Sequence, residues 1–219
     1  RICGIAAAHF LGYMDDAAFE RQYEIHQQAL SGLRQGMFAP ENRGKILTKT
    51  EENIDISANL LEKGYLDDSE IEKYPGVTHT IGVHPVIECS QNIPCNPCQD
   101  ACPKHCIKIG EKITSLPAVD ETAQCIGCGM CVASCSGQAI FLVDEACDET
   151  YASVMLPYEF LPLPKAGDTG IALGRDGSPC CEAEVISVKS SPAFDHTHLL
   201  TMKVPKQYAM KARFFRKEA

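Results

Sequence analysis

No stretch of this chain approaches the roughly 20 consecutive apolar residues that a bilayer-spanning helix requires, and no charged-then-apolar leader precedes a cleavage site. Neither a membrane span nor an export signal is expected, and the cytoplasm is the expected compartment. The chain also lacks a G-x-G-x-x-G after a strand, a P-loop, and any Ser/His/Asp or Cys/His grouping with a supporting context. A flavin or nicotinamide, if the function needs one, has to sit on another chain. Positive charge is in deficit: 20 Lys and Arg stand against 29 Asp and Glu, a formal net charge of −9. Nucleic acid is therefore not an expected partner.

Cysteine, by contrast, is abundant, with 13 in 219 residues and most of them between Cys89 and Cys135. Short-spaced thiols without an export signal favour metal binding over disulfides. The segment Cys125-Ile-Gly-Cys128-Gly-Met-Cys131-Val-Ala-Ser-Cys135 has the C-x2-C-x2-C-x3-C spacing that wraps three thiolates around one iron–sulfur cube and sends the fourth to a neighbouring cube. Zinc is the alternative, because C-x2-C pairs also suit it. The interlocked runs of three and the Cys102-Pro103 pair favour iron–sulfur.

The preceding segment is an imperfect copy. Laying Cys102-Pro-Lys-His-Cys106-Ile over Cys135-Ser-Gly-Gln-Ala139-Ile pairs Cys102 with Cys135, Cys98 with Cys131 and Cys95 with Cys128. The remaining ligand then falls at Asn92, which offers no thiolate, and the nearest candidate upstream is Cys89. In this register one [4Fe-4S] cluster takes Cys89, Cys95, Cys98 and Cys135, and the other takes Cys102, Cys125, Cys128 and Cys131. Cys106 becomes a small buried apolar residue. A second register uses Cys95, Cys98, Cys102 and Cys106 and leaves Cys89 free, but it breaks the internal repeat. Each oxidised cube carries about 2+ against four thiolates, so two cubes add about −4 to an already acidic chain.

This repeat resembles the bacterial two-cluster ferredoxin domain over roughly residues 83–145. The resemblance implies two short hairpins and two short helices arranged pseudo-symmetrically about the clusters. The five-residue gap after Cys89, and Ser136 where proline is usual, depart from the pattern.

Elsewhere the reading is of ordinary local structure. Residues 1 to about 36 read as helical, with a cap at Asp15 or Asp16 and Phe19, Tyr23, His26, Leu30 and Leu33 on one face. His9, His26 and Cys3 read as packing residues. Met37 to Lys45 reads as a loop, and residues 51–74 as two short helices, the second capped near Ser69. Gly76 to Val86 reads as a strand leading to Cys89. After Cys147, Val154-Met-Leu-Pro, Phe160-Leu-Pro-Leu-Pro-Lys, Val185-Ile-Ser-Val and Leu199-Leu-Thr-Met-Lys-Val read as β segments, with turns at Gly167-Asp and Arg175-Asp-Gly177-Ser. Cys180-Cys181 point to opposite faces and chelate poorly together. His196-Thr-His198 on a strand offers half a metal site, or simply a polar surface. The cationic tail, with Lys203, Lys206, Lys211, Arg213, Arg216 and Lys217, is either a solvated face or a surface for an acidic partner or an anionic cofactor.

The expected fold is α+β in three parts: a mainly helical docking region over residues 1–82, a ferredoxin-like 2[4Fe-4S] domain over 83–148, and a small antiparallel β-sheet or barrel over 149–219. The string Pro85-Val-Ile-Glu-Cys89-Ser-Gln-Asn-Ile-Pro-Cys95-Asn-Pro-Cys98 and the ending Val204-Pro-Lys-Gln-Tyr-Ala-Met-Lys carry a wider resemblance. They resemble the electron-transfer subunits of heteromeric flavin-dependent proline, hydroxyproline and sarcosine-type dehydrogenases, and Gly4 to Gly12 is similar to a segment of their flavoprotein subunit. That family implies flavoprotein partners in a hetero-oligomer, flavin on those partners, and electrons passing through two clusters to another flavin, a ferredoxin or a quinone. The alternative is a free-standing ferredoxin-like carrier serving several partners. A non-redox protein with structural clusters is a third reading, against which the acidic balance and the closely spaced cluster motifs weigh.

Overall fold

In a computed structural model, the chain divides into two compact units, residues 1–55 and 56–219, and residues 15–21, 24, 60, 63–90 and 92–217 are described. In the first unit, residues 16–21 are helical. Asp15 starts them, its carboxylate accepting the Ala18 N–H at 2.7 Å, which satisfies one of the donors a helix leaves free at its start. The remainder of the helical reading over residues 1–36, with Cys3, His9 and His26, and the loop from Met37 to Lys45 lie outside the described residues.

The second unit contains strands β1 (His84–Ile87), β2 (Ile107–Lys108), β3 (Ala118–Val119), β4 (Ile140–Asp144), β5 (Tyr151–Tyr158), β6 (Thr169–Leu173), β7 (Pro179–Lys189), β8 (His198–Pro205) and β9 (Phe214–Lys217). Seven form one antiparallel sheet in the order β1-β4-β5-β8-β7-β6-β9, and β2 pairs only with β3. Among the described residues, three helices of four or five residues are bounded at both ends: α1 (Asp68–Ile71), α2 (Pro97–Asp100) and α3 (Met130–Ser134).

This arrangement overturns the expected α+β architecture of a helical N-terminal region, a separate ferredoxin-like domain and a small C-terminal β domain. β1 and β4, which bracket the cysteines, pair with each other from His84↔Val143 to Ile87↔Ile140. β4 then continues into the main sheet through Leu142↔Met155 and Val143↔Val154. The cysteine segment is thus an excursion between two strands of the large sheet. Alternation of side chains along β4 explains why: Phe141 and Val143 face one core, Ile140 and Leu142 another, so the strand is buried on both sides and cannot end a domain.

Smaller corrections follow from local chemistry. The helix expected to be capped near Ser69 is capped by Asp67, whose N–H donates to Glu70 Oε2 at 2.9 Å, a carboxylate reaching back to the helix start. Of the strand expected from Gly76, only His84–Ile87 forms, because Gly82 sits at φ +83 and breaks the extension. Phe160 to Lys165 forms no strand, since Pro162 and Pro164 cannot donate to a ladder. Gly167 and Gly177, both with positive φ, make the turns where turns are expected.

One core lies on the far side of the sheet from the cysteines and joins Val86 and Phe141 to Val154, Leu156, Leu200, Met202, Val204 and Phe215. The sheet curls, so that the segment before β9 returns to β1 and β4. Arg213 stacks over the Phe141 ring at 4.8 Å, and its Nε donates to Glu88 Oε1 at 2.6 Å. Arg175 donates to the same carboxylate from Nε at 2.8 Å and Nη2 at 2.6 Å, and from Nη1 to Asp68 at 2.8 Å. Arg213 is almost wholly buried; desolvation pulls its pKa down, with Glu88 opposing.

Removing one member of a buried ion pair leaves a charge without compensation, at a cost of about 3–5 kcal/mol. Glu88→Gln is therefore expected to lower unfolding stability by an amount of that order in chemical denaturation. Breaking the more exposed Lys217–Asp168 pair, 2.7 Å long, with Lys217→Ala is expected to cost no more than about 1 kcal/mol.

Candidate iron–sulfur site

The internal repeat is carried into the backbone. α2 and α3 occupy equivalent places in the two cysteine runs. At the end of each run, the N–H four residues on donates to the last sulfur: Cys106 to Cys102 Sγ at 3.3 Å, and Ala139 to Cys135 Sγ at 3.4 Å. His105 and Gln138, three residues after those sulfurs, both take left-handed φ, 52° and 50°. Each run then enters a strand at an isoleucine, and the pairs Ile107↔Val119 and Ile87↔Ile140 occupy corresponding positions. A third backbone donor, Gly127, reaches Cys125 Sγ at 3.5 Å.

The sulfurs sort crosswise between the runs. Cys89, Cys95, Cys98 and Cys135 line one space of about 320 Å³, together with Ile87, Ile109 and Ile140. Cys102, Cys125, Cys128 and Cys131 line a second, and Cys106 joins them there. This second space is nearly closed, with about 10 Å³ free. Among the described residues, no three His, Cys, Asp or Glu side chains converge on the position of a single metal ion. Thiolates holding a cube are spread around a many-atom cluster rather than a point. The donor set suits such a cluster: four sulfurs line the first space and five the second, with backbone N–H groups directed at three of them.

Burial controls the protonation of these thiols. Desolvation pushes Cys98 up to about 11, with Cys135, Cys95 and Cys89 adding to the rise. Cys106 is pushed up to about 12 by burial and by Cys102 beside it. Cys125 and Cys131 also rise, burial again the largest cause. Burial thus holds Cys98, Cys106, Cys125 and Cys131 in the protonated form at neutral pH, and loading a metal on Cys98, Cys125 or Cys131 must release protons.

The excursion is fastened to the sheet by a second core comprising Ile87, Cys98, Ile107, Cys131, Val132, Ile140, Leu142, Met155, Phe194 and Leu199. Gly129, between Cys128 and Cys131, shows how close the approach is. It starts α3 in a left-handed conformation at φ 81°, and an added Cβ would lie 3.0 Å from Met155 Sδ and closer still to Leu199 Cδ1. Only glycine fits both the angle and the space.

Other candidate residues are not brought together. His198 opens β8 and bonds Ser190 Oγ through Nδ1 at 2.6 Å, while His196 lies in the preceding turn at φ 71°, so they do not share a strand face. Cys180 and Cys181 are half-buried on β7. In the cationic tail, Lys203, Lys211, Arg213 and Lys217 are paired with Glu184, Asp68, Glu88 and Asp168. A further cavity of about 540 Å³ opens beside Glu88, Arg175, Arg213, Phe160 and Phe214, without a cysteine. Sequence reasoning missed the Glu88 pairing. Its one sequence signal is an arginine set in the apolar string Ala212-Arg213-Phe214-Phe215.

Two measurements test the site. Cys89→Ser is expected to cut the iron content of the loaded protein from about eight per chain toward about four, while Cys106→Ser leaves about eight. The opposite pattern would overturn the crosswise assignment. In the metal-free chain, raised thiol pKa values favour the folded state only while the thiols stay protonated. Its stability is therefore expected to fall as pH rises above the ordinary thiol value of 9.0, through about 11 at Cys98. A flat denaturation midpoint between about pH 8 and about pH 11 would contradict this.

Set against protein-family models, curated proteins and solved structures, the chain matches none of them.

Proposed function

We propose that the chain is an iron–sulfur electron-transfer subunit holding two [4Fe-4S] clusters, one on Cys89, Cys95, Cys98 and Cys135 and one on Cys102, Cys125, Cys128 and Cys131. The observation that carries this reading is the crosswise sorting of the sulfurs into two neighbouring sets. Clusters bound there supply one-electron carriers. The chain's own residues supply the setting: Ile87, Ile107, Val132 and Ile140 are almost fully buried and exclude water, while the N–H groups of Cys106, Gly127 and Ala139 lower the basicity of the sulfurs they face. Both act on the potential at which an electron is accepted.

The partner is a flavoprotein dehydrogenase in a hetero-oligomer, and the resemblance of Pro85 to Cys98 favours one that oxidises an amine or amino acid. In that complex electrons leave the substrate through a flavin on the partner and pass through this chain to a flavin, ferredoxin or quinone. The sheet supports fixed docking over free diffusion, because strands β5 to β9 extend well beyond what the cysteines need. Exposed apolar side chains lie beside each set: Ile126 next to Cys125, and Ile93 close to Cys95. Such residues suit contact with another protein. Among the described residues no helix is long and apolar enough to cross a membrane; the cytoplasm is the compartment proposed.

Anaerobic purification from the native host, with iron and sulfide analysis, tests this reading. About eight irons per chain, reversible low-potential reduction and co-elution with a flavin-bearing protein are expected. Eight irons without a partner would favour the free carrier, clusters that cannot be reduced would favour a structural role, and zinc in place of iron would overturn the reading.

A further inference from the structure

Four thiolates suffice for a [4Fe-4S] cluster, yet five cysteines line the second space. The fifth, Cys106, is 2% exposed, and its thiol lies within hydrogen-bond reach of both Cys102 and Cys125. The left-handed turn at His105 brings it back beside Cys102, and its N–H bonds the Cys102 sulfur. Its carbonyl accepts the Asp120 N–H at 2.8 Å, which fixes it at the start of the β2–β3 pair. At the equivalent point of the other run stands Ala139, with the same N–H bond to Cys135. Packing at this position is therefore satisfied without a sulfur.

Building on the proposed iron–sulfur reading, we infer that Cys106 is a reserve ligand of the second cluster, able to replace Cys102. The exchange is balanced: the iron loses its bond to the Cys102 sulfur, the Cys106 thiol gives its proton to that departing thiolate, and the resulting Cys106 thiolate bonds the same iron. No electron is gained or lost. The second cluster then keeps four thiolates when Cys102 is lost, whereas the first has no such spare at its Cys135 position.

Iron content and the spectrum of the reduced clusters, measured on the full chain, test the inference. Wild type, Cys106→Ser and Cys102→Ser are each expected to hold about eight irons, the last with an altered spectrum; Cys102→Ser/Cys106→Ser falls to about four. Loss of four irons from Cys102→Ser alone overturns the inference, as does retention of eight in the double variant. Because Cys102→Ser could also fail by misfolding, the twin position provides a second test. Cys135→Ser is expected to fall to about four irons, and Cys135→Ser/Ala139→Cys to recover about eight. No recovery there shows that a sulfur at this position cannot reach the iron, which overturns the inference. A wild-type chain that binds no iron defeats the underlying reading instead, and so distinguishes that failure from this one.

Discussion

The carboxylate of Glu88 ties the two ends of the curled sheet together, immediately before Cys89. It accepts from Arg213, just ahead of β9, and from Arg175, in the turn between β6 and β7. Both arginines are under a tenth exposed at the side chain, so the carboxylate compensates two cations that burial would otherwise make costly. Arg213 also donates from Nη1 to the carbonyls of Ala209 and Ala212. Only its Nη2 is left without an acceptor, and the guanidinium carbon lies over the Phe141 ring, whose face attracts a cation. The direction in which the chain leaves β1 toward Cys89 is thus set by a contact with the far end of the sheet.

A second constraint is that the sheet and the cysteine excursion share one core. Met155 of β5 and Leu199 of β8 are buried among Cys98, Cys131 and Val132 rather than among the residues on the other side of their strands. Large side chains on that face would push the excursion away, and Gly129 marks where there is no room even for a methyl group. The distances between the sulfurs are consequently fixed by the packing of a large β scaffold. Without such support, two short helices and a two-strand ribbon bury too little to hold themselves together.

Much of the candidate site was legible in the sequence, because it depends on near neighbours. The spacing of Cys125, Cys128, Cys131 and Cys135, and the alignment of Cys102 with Cys135, are local properties, and the matching bonds at Cys106 and Ala139 follow the same register. The segments of β5, β7 and β8 also showed themselves through apolar alternation and glycine turns. The architecture did not. Whether a four-residue strand such as His84–Ile87 closes a small module or edges a seven-stranded sheet depends on partners far along the chain, and nothing in its own composition decides that. The pairing within the cationic tail was hidden for a similar reason: its charges look alike in sequence, while their carboxylates lie on α1, β7 and the segment before β6, and at the end of β1.

The imperfections of the repeat have a physical account of their own. At the position aligned with Cys125 stands Asn92, whose Nδ2 donates to the Thr114 carbonyl at 3.1 Å, and Cys95 donates its N–H to the neighbouring Ile113 carbonyl at 3.4 Å. These bonds fasten the loop before Cys95 to the turn between β2 and β3. Asparagine serves that purpose, having a donor that thiolate lacks. With this position given to loop anchoring, the proposed assignment takes its fourth sulfur from Cys89, which stands where the chain leaves β1 just after Glu88. In that proposed assignment the wider gap after Cys89 places one ligand at the strand end that the Glu88 ion pair already holds in place.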